Sequence, residues 1–298
     1  MNKVIIIYGP TAVGKSDVAI GLAKLINAEI ISADSMQIYK DLNIGSAKIT
    51  EQEMDGVCHH LLDIRDSLES YSAYNFSQDC KSVINEIQSK GKNVIICGGT
   101  GLYIKTLTEN YDCGETHSNS EFRKNCEKFS NEELYTMLCE LDKSKAKTIH
   151  QNNRHRVIRA LEIVNSQVDV SKTEYNDDFV IFGLVDDREK LYSRINSRVD
   201  KMIKLGLVDE VRYLLNKGAT PDHQSMKAIG YKELLPYLSG EETLENCIEK
   251  IKQHTRNYAK RQLTFMNQFP NIIKVNAPTK QKAIDEIFNI IKENKWIN

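Results

Sequence analysis

Apolar and polar positions in the N-terminal third of the chain follow two rhythms in alternation. Val4-Ile5-Ile6-Ile7-Tyr8 is an unbroken, mostly β-branched run, as a strand covered on both faces requires. Residues 9–14 turn the chain, and the apolar spacing over 15–26 predicts a helix. Residues 29–33 read as a second strand, and 74–88 as a helix through Phe76, Val83, Ile84 and Ile87. Residues 93–97 read as a third buried strand, closed by Gly98-Gly99-Thr100-Gly101. Strands alternating with helices predict an α/β fold built on a doubly wound parallel sheet.

From about residue 111 to 170 the strand signals stop. Residues 131–141 and 154–164 carry helical spacing through Leu134, Leu138 and Leu141, then Val157, Ile158 and Leu161, and 179–185 return to a strand pattern. The expectation is a P-loop-type core formed by residues 1–110 and 178–298, with a mainly helical insertion domain at 111–177. Leu191, Ile195, Val199 and Met202 mark a further helix. Leu244, Ile248, Ile251, Thr255 and Tyr258 mark another, spaced 4, 3, 4, 3. Residues 272–275 read as a last strand and 281–295 as a closing helix.

Composition narrows the class. Over 298 residues, 40 basic and 41 acidic side chains leave a net charge of −1. Any nucleic-acid surface must therefore be a local patch. Seven cysteines, with no C-x-x-C pair, fit reduced cytosolic thiols better than a disulfide frame or a zinc site. The first apolar run is too short for a signal peptide, and no stretch reaches membrane-spanning length. A soluble cytoplasmic protein is expected. Nothing calls for an obligate dimer, so a monomer is expected too.

The turn after the first strand, "GPTAVGKS", comprises Gly9, Pro10, Thr11, Ala12, Val13, Gly14, Lys15 and Ser16. It fits the loop that wraps phosphates. Successive backbone N–H groups converge at the positive end of the following helix, Lys15 adds charge, and Ser16 offers a hydroxyl to Mg²⁺. The motif specifies diphosphate binding but not reaction type, since kinases and other transferases share it. Asp34 ends the second strand, beside that loop, at the carboxyl edge where α/β sites assemble. It is placed to hold metal, to take a proton, or simply to make a local turn with Ser35. His59-His60 lies in a predicted loop with no acid or cysteine at ligand spacing in sequence, so a structural or substrate-shaping role is favoured over a metal site.

In order along the chain, "GPTAVGKS", "ISADSMQIYKDLNIGSAK", "HHLLDIRD", "GGTGLYIKTL", "RHRVIRALE", "RVDKMIKLGLVDEV", "KAIGYKEL" and "YAKRQLTF" together resemble the tRNA dimethylallyltransferases. The likeness runs from Val4 to about Phe265. A form without a zinc-finger extension, as in the bacterial type, is expected. Ile49 and Cys58 stand where the family usually or often has proline, and 111–130 matches weakly. The resemblance implies that the loop holds dimethylallyl diphosphate, whose five-carbon group passes to the exocyclic amine of adenosine 37 while pyrophosphate leaves. It implies Asp34 as general base, Thr11 near the reacting centre, and Mg²⁺ on Ser16. It also points to Arg198 as the expected leaving-group arginine, with Arg194, one turn earlier, the alternative.

The same resemblance implies where tRNA is held, with its target base flipped out of the stack. Asp34, Ser35, Met36 and Gln37 would read the flipped base. Thr100 and Arg123 would touch the anticodon loop, and His155, Arg156 and Arg159 the anticodon stem-loop. Lys227, Gly230, Tyr231 and Lys232 would add contacts, as would Lys260, Arg261 and the rest of 260–268. Lys252, Arg256 and Lys260 form an i, i+4, i+8 row expected to face outward. Arg159 is also within reach of Glu162. The competing expectation is an ATP-dependent small-molecule kinase, which shares the loop and the sheet.

Overall fold

The computed structural model describes residues 3–109, 120–165, 175–276 and 278–297. In chain order the elements are β1 (Val4–Tyr8), α1 (Lys15–Ile26), β2 (Ala28–Ser32), α2 (Glu51–Met54), β3 (His59–His60), α3 (Ala73–Ser89), β4 (Asn93–Gly98) and α4 (Gly101–Thr108). Then come α5 (Ser120–Cys126), α6 (Asn131–Leu141), α7 (Lys143–Ala146) and α8 (Arg154–Asn165). The chain closes with β5 (Phe179–Val185), α9 (Arg188–Lys204), α10 (Leu207–Asn216), α11 (Leu235–Leu238), α12 (Leu244–Met266), β6 (Ile273–Asn276) and α13 (Lys280–Glu293).

Two compact units result: residues 1–108 with 176–298, and Glu109–Tyr175. The upstream edge predicted for the insertion, at residue 111, lies outside the described residues. In the first unit, six strands pair in the order β3-β2-β4-β1-β5-β6, every pairing parallel.

Alternating side chains of each strand feed two cores, as the pleat requires. Ile5, Ile7, Ile30, Ile95 and Phe182 pack with α1 and α13. Ile6, Tyr8, Ile31, Ile96 and Ile181 pack with residues of α3, α4 and α10. Both faces are covered, which is why the strands read as unbroken apolar runs. In the second unit Leu134, Leu138, Val157 and Leu161 share a core of their own.

Local sequence sets the helix starts. Ser72 with Asn75 and Ser130 with Glu133 form reciprocal capping boxes, and Asp187, Thr243 and Thr279 cap α9, α12 and α13. Trp296 packs edge-on to Phe182 at 6.3 Å. The six described cysteines are free thiols. No helix among the described residues is long and apolar enough to cross a membrane.

One prediction is corrected. His59-His60 is not loop: it forms the edge strand, pairing Ile30↔His59 and Ile31↔His60. Folding also brings Glu29 to the neighbouring Cys58 and His60, whose ligating atoms all lie within 4.8 Å of one another. Their contacts are already accounted for: His60 Nε2 meets Glu29 Oε2 at 2.6 Å, and Lys92 donates to Glu29 Oε1 at 2.7 Å. Burial works against the Glu29 charge, but the hydrogen bonds from Lys92 and His60 outweigh it and push the carboxyl down to about 2. The group is a clamp on the sheet edge.

Candidate active site

Parallel pairing puts the carboxyl ends of β1, β2 and β4 on one rim, and the catalytic candidates sit there. β1 runs into the loop, where Ala12 and Gly14 take left-handed backbone at φ 62° and 98°. No side chain caps α1, so the N–H groups of its first turn stay available for an anion. Lys15 Nζ donates to the Pro10 carbonyl at 2.9 Å. Burial lowers this ammonium to about 8, against the pull of nearby Cys97 and Asp34. The Cys97 thiol beneath it is pushed up to about 11 by burial, with Lys15 acting the other way.

β2 delivers Asp34. Its Oδ1 accepts from the Met36 and Gln37 amides at 2.9 and 3.4 Å. The turn expected of an aspartate here therefore forms. Both bonds fall on Oδ1, and no described group bonds Oδ2. Thr100, just past β4, fixes the same turn by accepting the Ser35 N–H on its Oγ1 at 3.1 Å.

A cavity of about 290 Å³ opens between these pieces. Thr11, Asp34 and Arg198 line it together, Ile195, Val199, Met202 and Ile251 supply apolar wall, and Lys227, Lys232 and Arg261 add charge. Of the two candidate arginines, Arg198 borders the cavity and burial lowers its pKa. Arg194 is tied instead to Asp186 at 2.5 Å. An acid, a cation-lined cradle and an apolar wall in one cavity can hold a diphosphate ester with a hydrocarbon arm and take a proton beside it.

Several predicted RNA contacts are placed differently. Tyr231 is fully buried, and its hydroxyl donates to Glu210 at 2.6 Å. That carboxylate also accepts the Asn43, Ile44 and Gly45 amides, so Tyr231 shapes the loop lining the cavity and offers no side chain to RNA. Gln37 is spent inward too, its Nε2 donating to the Ser46 and Ala47 carbonyls at 3.3 Å.

The row on α12 does not face outward as a whole. Lys252 pairs with Asp200 at 2.9 Å and Arg256 donates to Asn196 at 2.6 Å, both on α9. Lys260 is exposed. Helix packing claimed the first two because α9 presents acceptors along that line. Gln262, inside the segment expected to touch RNA, is only 5% exposed.

In the second unit, Arg123 forms a two-pronged bridge to buried Glu162 at 2.7 and 2.9 Å, and Arg159 joins it at 3.1 Å. His155 and Arg156 are exposed.

The IPP transferase family model matches residues 37–269. The tRNA dimethylallyltransferase of Clostridioides difficile is 49% identical over 281 residues, covering 90% of each chain. The solved tRNA delta(2)-isopentenylpyrophosphate transferase of Staphylococcus epidermidis is 42% identical, superposes with a TM-score of 0.75, and is matched over 99% of this chain and 100% of its own. A eukaryotic dimethylallyltransferase, captured acting on tRNA, is 30% identical with a TM-score of 0.83, over 98% of this chain and 80% of its own. A match over this much of the chain, at these identities, makes it a member of the IPP transferase family.

Proposed function

We propose that this protein transfers a dimethylallyl group from dimethylallyl diphosphate to the exocyclic amine of adenosine 37 in tRNA, releasing pyrophosphate. It is a prenyltransferase, and the observation that carries the substrate assignment is the shared cavity. Thr11 from the phosphate loop, Asp34 and Arg198 border one space whose remaining wall includes Ile195, Val199 and Met202. An apolar wall beside an anion-binding loop suits a diphosphate that carries a five-carbon cargo.

The chemistry follows. The adenine amine is a poor nucleophile because its lone pair is delocalised into the ring. As nitrogen bonds the allylic carbon, the carbon–oxygen bond breaks and the Asp34 carboxylate takes the amine proton. Loop N–H groups, Lys15 and Arg198 stabilise the departing diphosphate. Ser16 suits Mg²⁺: the residue is exposed, and this cation takes few protein ligands beside substrate phosphates. When bound, the ion would neutralise charge on the leaving group.

Flipped adenine would sit between Ser35, Met36 and Thr100, with Lys227, Lys232, Lys260 and Arg261 toward the anticodon loop and His155 and Arg156 on its stem. The protein works as a cytoplasmic monomer, in a compartment where thiols such as Cys97 stay reduced. Mass spectrometry of tRNA nucleosides after incubation with dimethylallyl diphosphate and Mg²⁺ tests the reading. One added prenyl group on adenosine is expected. ATP consumption without prenylation would favour the kinase.

A further inference from the structure

We infer that Gln262 is a positioning residue: it clamps the phosphate loop to the end of β4 and so aims Thr11 at the reacting centre. The inference rests on the reaction proposed above for its kinetic consequence, not for its geometry.

Gln262 lies on α12 between two kinds of neighbour. Lys260 and Arg261 are exposed, while Gln262 itself is buried. Both ends of its amide are used. Oε1 accepts the Thr11 N–H at 2.8 Å, and Nε2 donates to the Gly99 carbonyl at 2.9 Å. Its backbone carbonyl accepts from the Tyr8 hydroxyl at 3.1 Å. One residue thus joins the end of β1, the loop and the turn after β4. The fit is close: a Cβ on Gly99 would stand 2.1 Å from Nε2, so only glycine admits the amide there.

Tyr258, one helical turn earlier, lies beside Thr100 and Gln262, and Thr100 holds the Ser35 amide next to Asp34. The same face of α12 therefore borders both the diphosphate loop and the turn that carries the base.

The consequence concerns Thr11. With its N–H bonded to Gln262, it leaves only its side chain for the cavity it lines. Removing the amide strands a part-buried N–H and a buried carbonyl, and the loop relieves this by turning. Thr11 and the neighbouring N–H groups then lose their aim. Displacements of about 1 Å cost about 100-fold in rate at a reacting centre.

The test uses Gln262→Asn, whose shortened amide cannot reach both partners, and Gln262→Met, which keeps volume without polarity. At saturating substrates kcat should fall about 10- to 100-fold, with the dissociation constant for tRNA unchanged. Combining Gln262→Asn with Thr11→Ala should be no worse than the more damaging single change, because one acts through the other. Should either variant fold poorly, judged by its melting temperature, the other carries the measurement. Weaker tRNA binding at unchanged kcat would return Gln262 to the RNA surface, and fully additive losses would make it merely structural; either overturns the inference. Inorganic pyrophosphate binding, expected to weaken in Gln262→Asn, reads the clamp without any transfer. If the unaltered protein prenylates no tRNA, the proposed reaction fails while this arm still decides the role of Gln262.

Discussion

Asp34 and Lys15 divide the chemistry at the residue scale. Asp34→Asn keeps the turn-forming oxygen but cannot take a proton. Single-turnover transfer should fall about 100- to 10,000-fold, with tRNA and prenyl diphosphate affinities retained; near-normal turnover would remove Asp34 from the mechanism. Lys15 has a folded-state pKa lowered to about 8 by burial. Below that pH its ammonium is charged and attracts diphosphate. As pH rises through about 8 the free protein loses that charge, and binding must restore it. The dissociation constant for prenyl diphosphate, measured by calorimetry from pH 7 to 9.5, should rise above pH 8, and a flat profile would contradict the assignment. Lys15 was readable because its motif is contiguous, whereas the residues alone left Asp34 open between metal, proton and turn, and only the resemblance implied a base. The Glu162 partner of Arg159 was in reach at i, i+3, but those of Lys252 and Arg256 were harder: a basic side chain on a helix looks alike in sequence whether it meets RNA or, as here, Asp200 and Asn196.

Among the elements, those with local causes were legible. β1, α1, α6 and β5 follow from β-branched runs, helical spacing and caps. β3 was not, because two residues are too few to show a period. Gln262 hid for another reason: among Lys260, Arg261 and Thr264 it reads as surface. Yet the stripe on α12 steps by 4, 3, 4 and 3 to Tyr258, and the next step of 4 falls on Gln262. The period carried the signal that polarity obscured. The clamp at β3 carries its own expectation. Glu29 has a folded-state pKa depressed to about 2, so its stabilisation is present above the ordinary carboxylate range and is lost as pH falls from about 4.5 through 2. Glu29→Gln should lower stability near neutrality by about 1–3 kcal/mol. It should also flatten that acid limb in denaturant titrations run from pH 5 downward.

For the molecule as a whole, a net charge of −1 means that attraction to RNA comes from clusters, not from bulk charge. Arg156→Ala should weaken tRNA binding and reduce the slope of log affinity against log salt by about 1; an unchanged slope would make Arg156 an ordinary surface charge. The strand order could not be read along the chain, because β4 slips between β1 and β2 only once all three exist. That arrangement, with α12 reaching back across it, has a temporal consequence. The glycine loop precedes Gln262 in the chain and emerges from the ribosome before it. A nascent chain therefore displays the anion cradle before the helix that braces it, and the cradle takes its final shape only once α12 has been made.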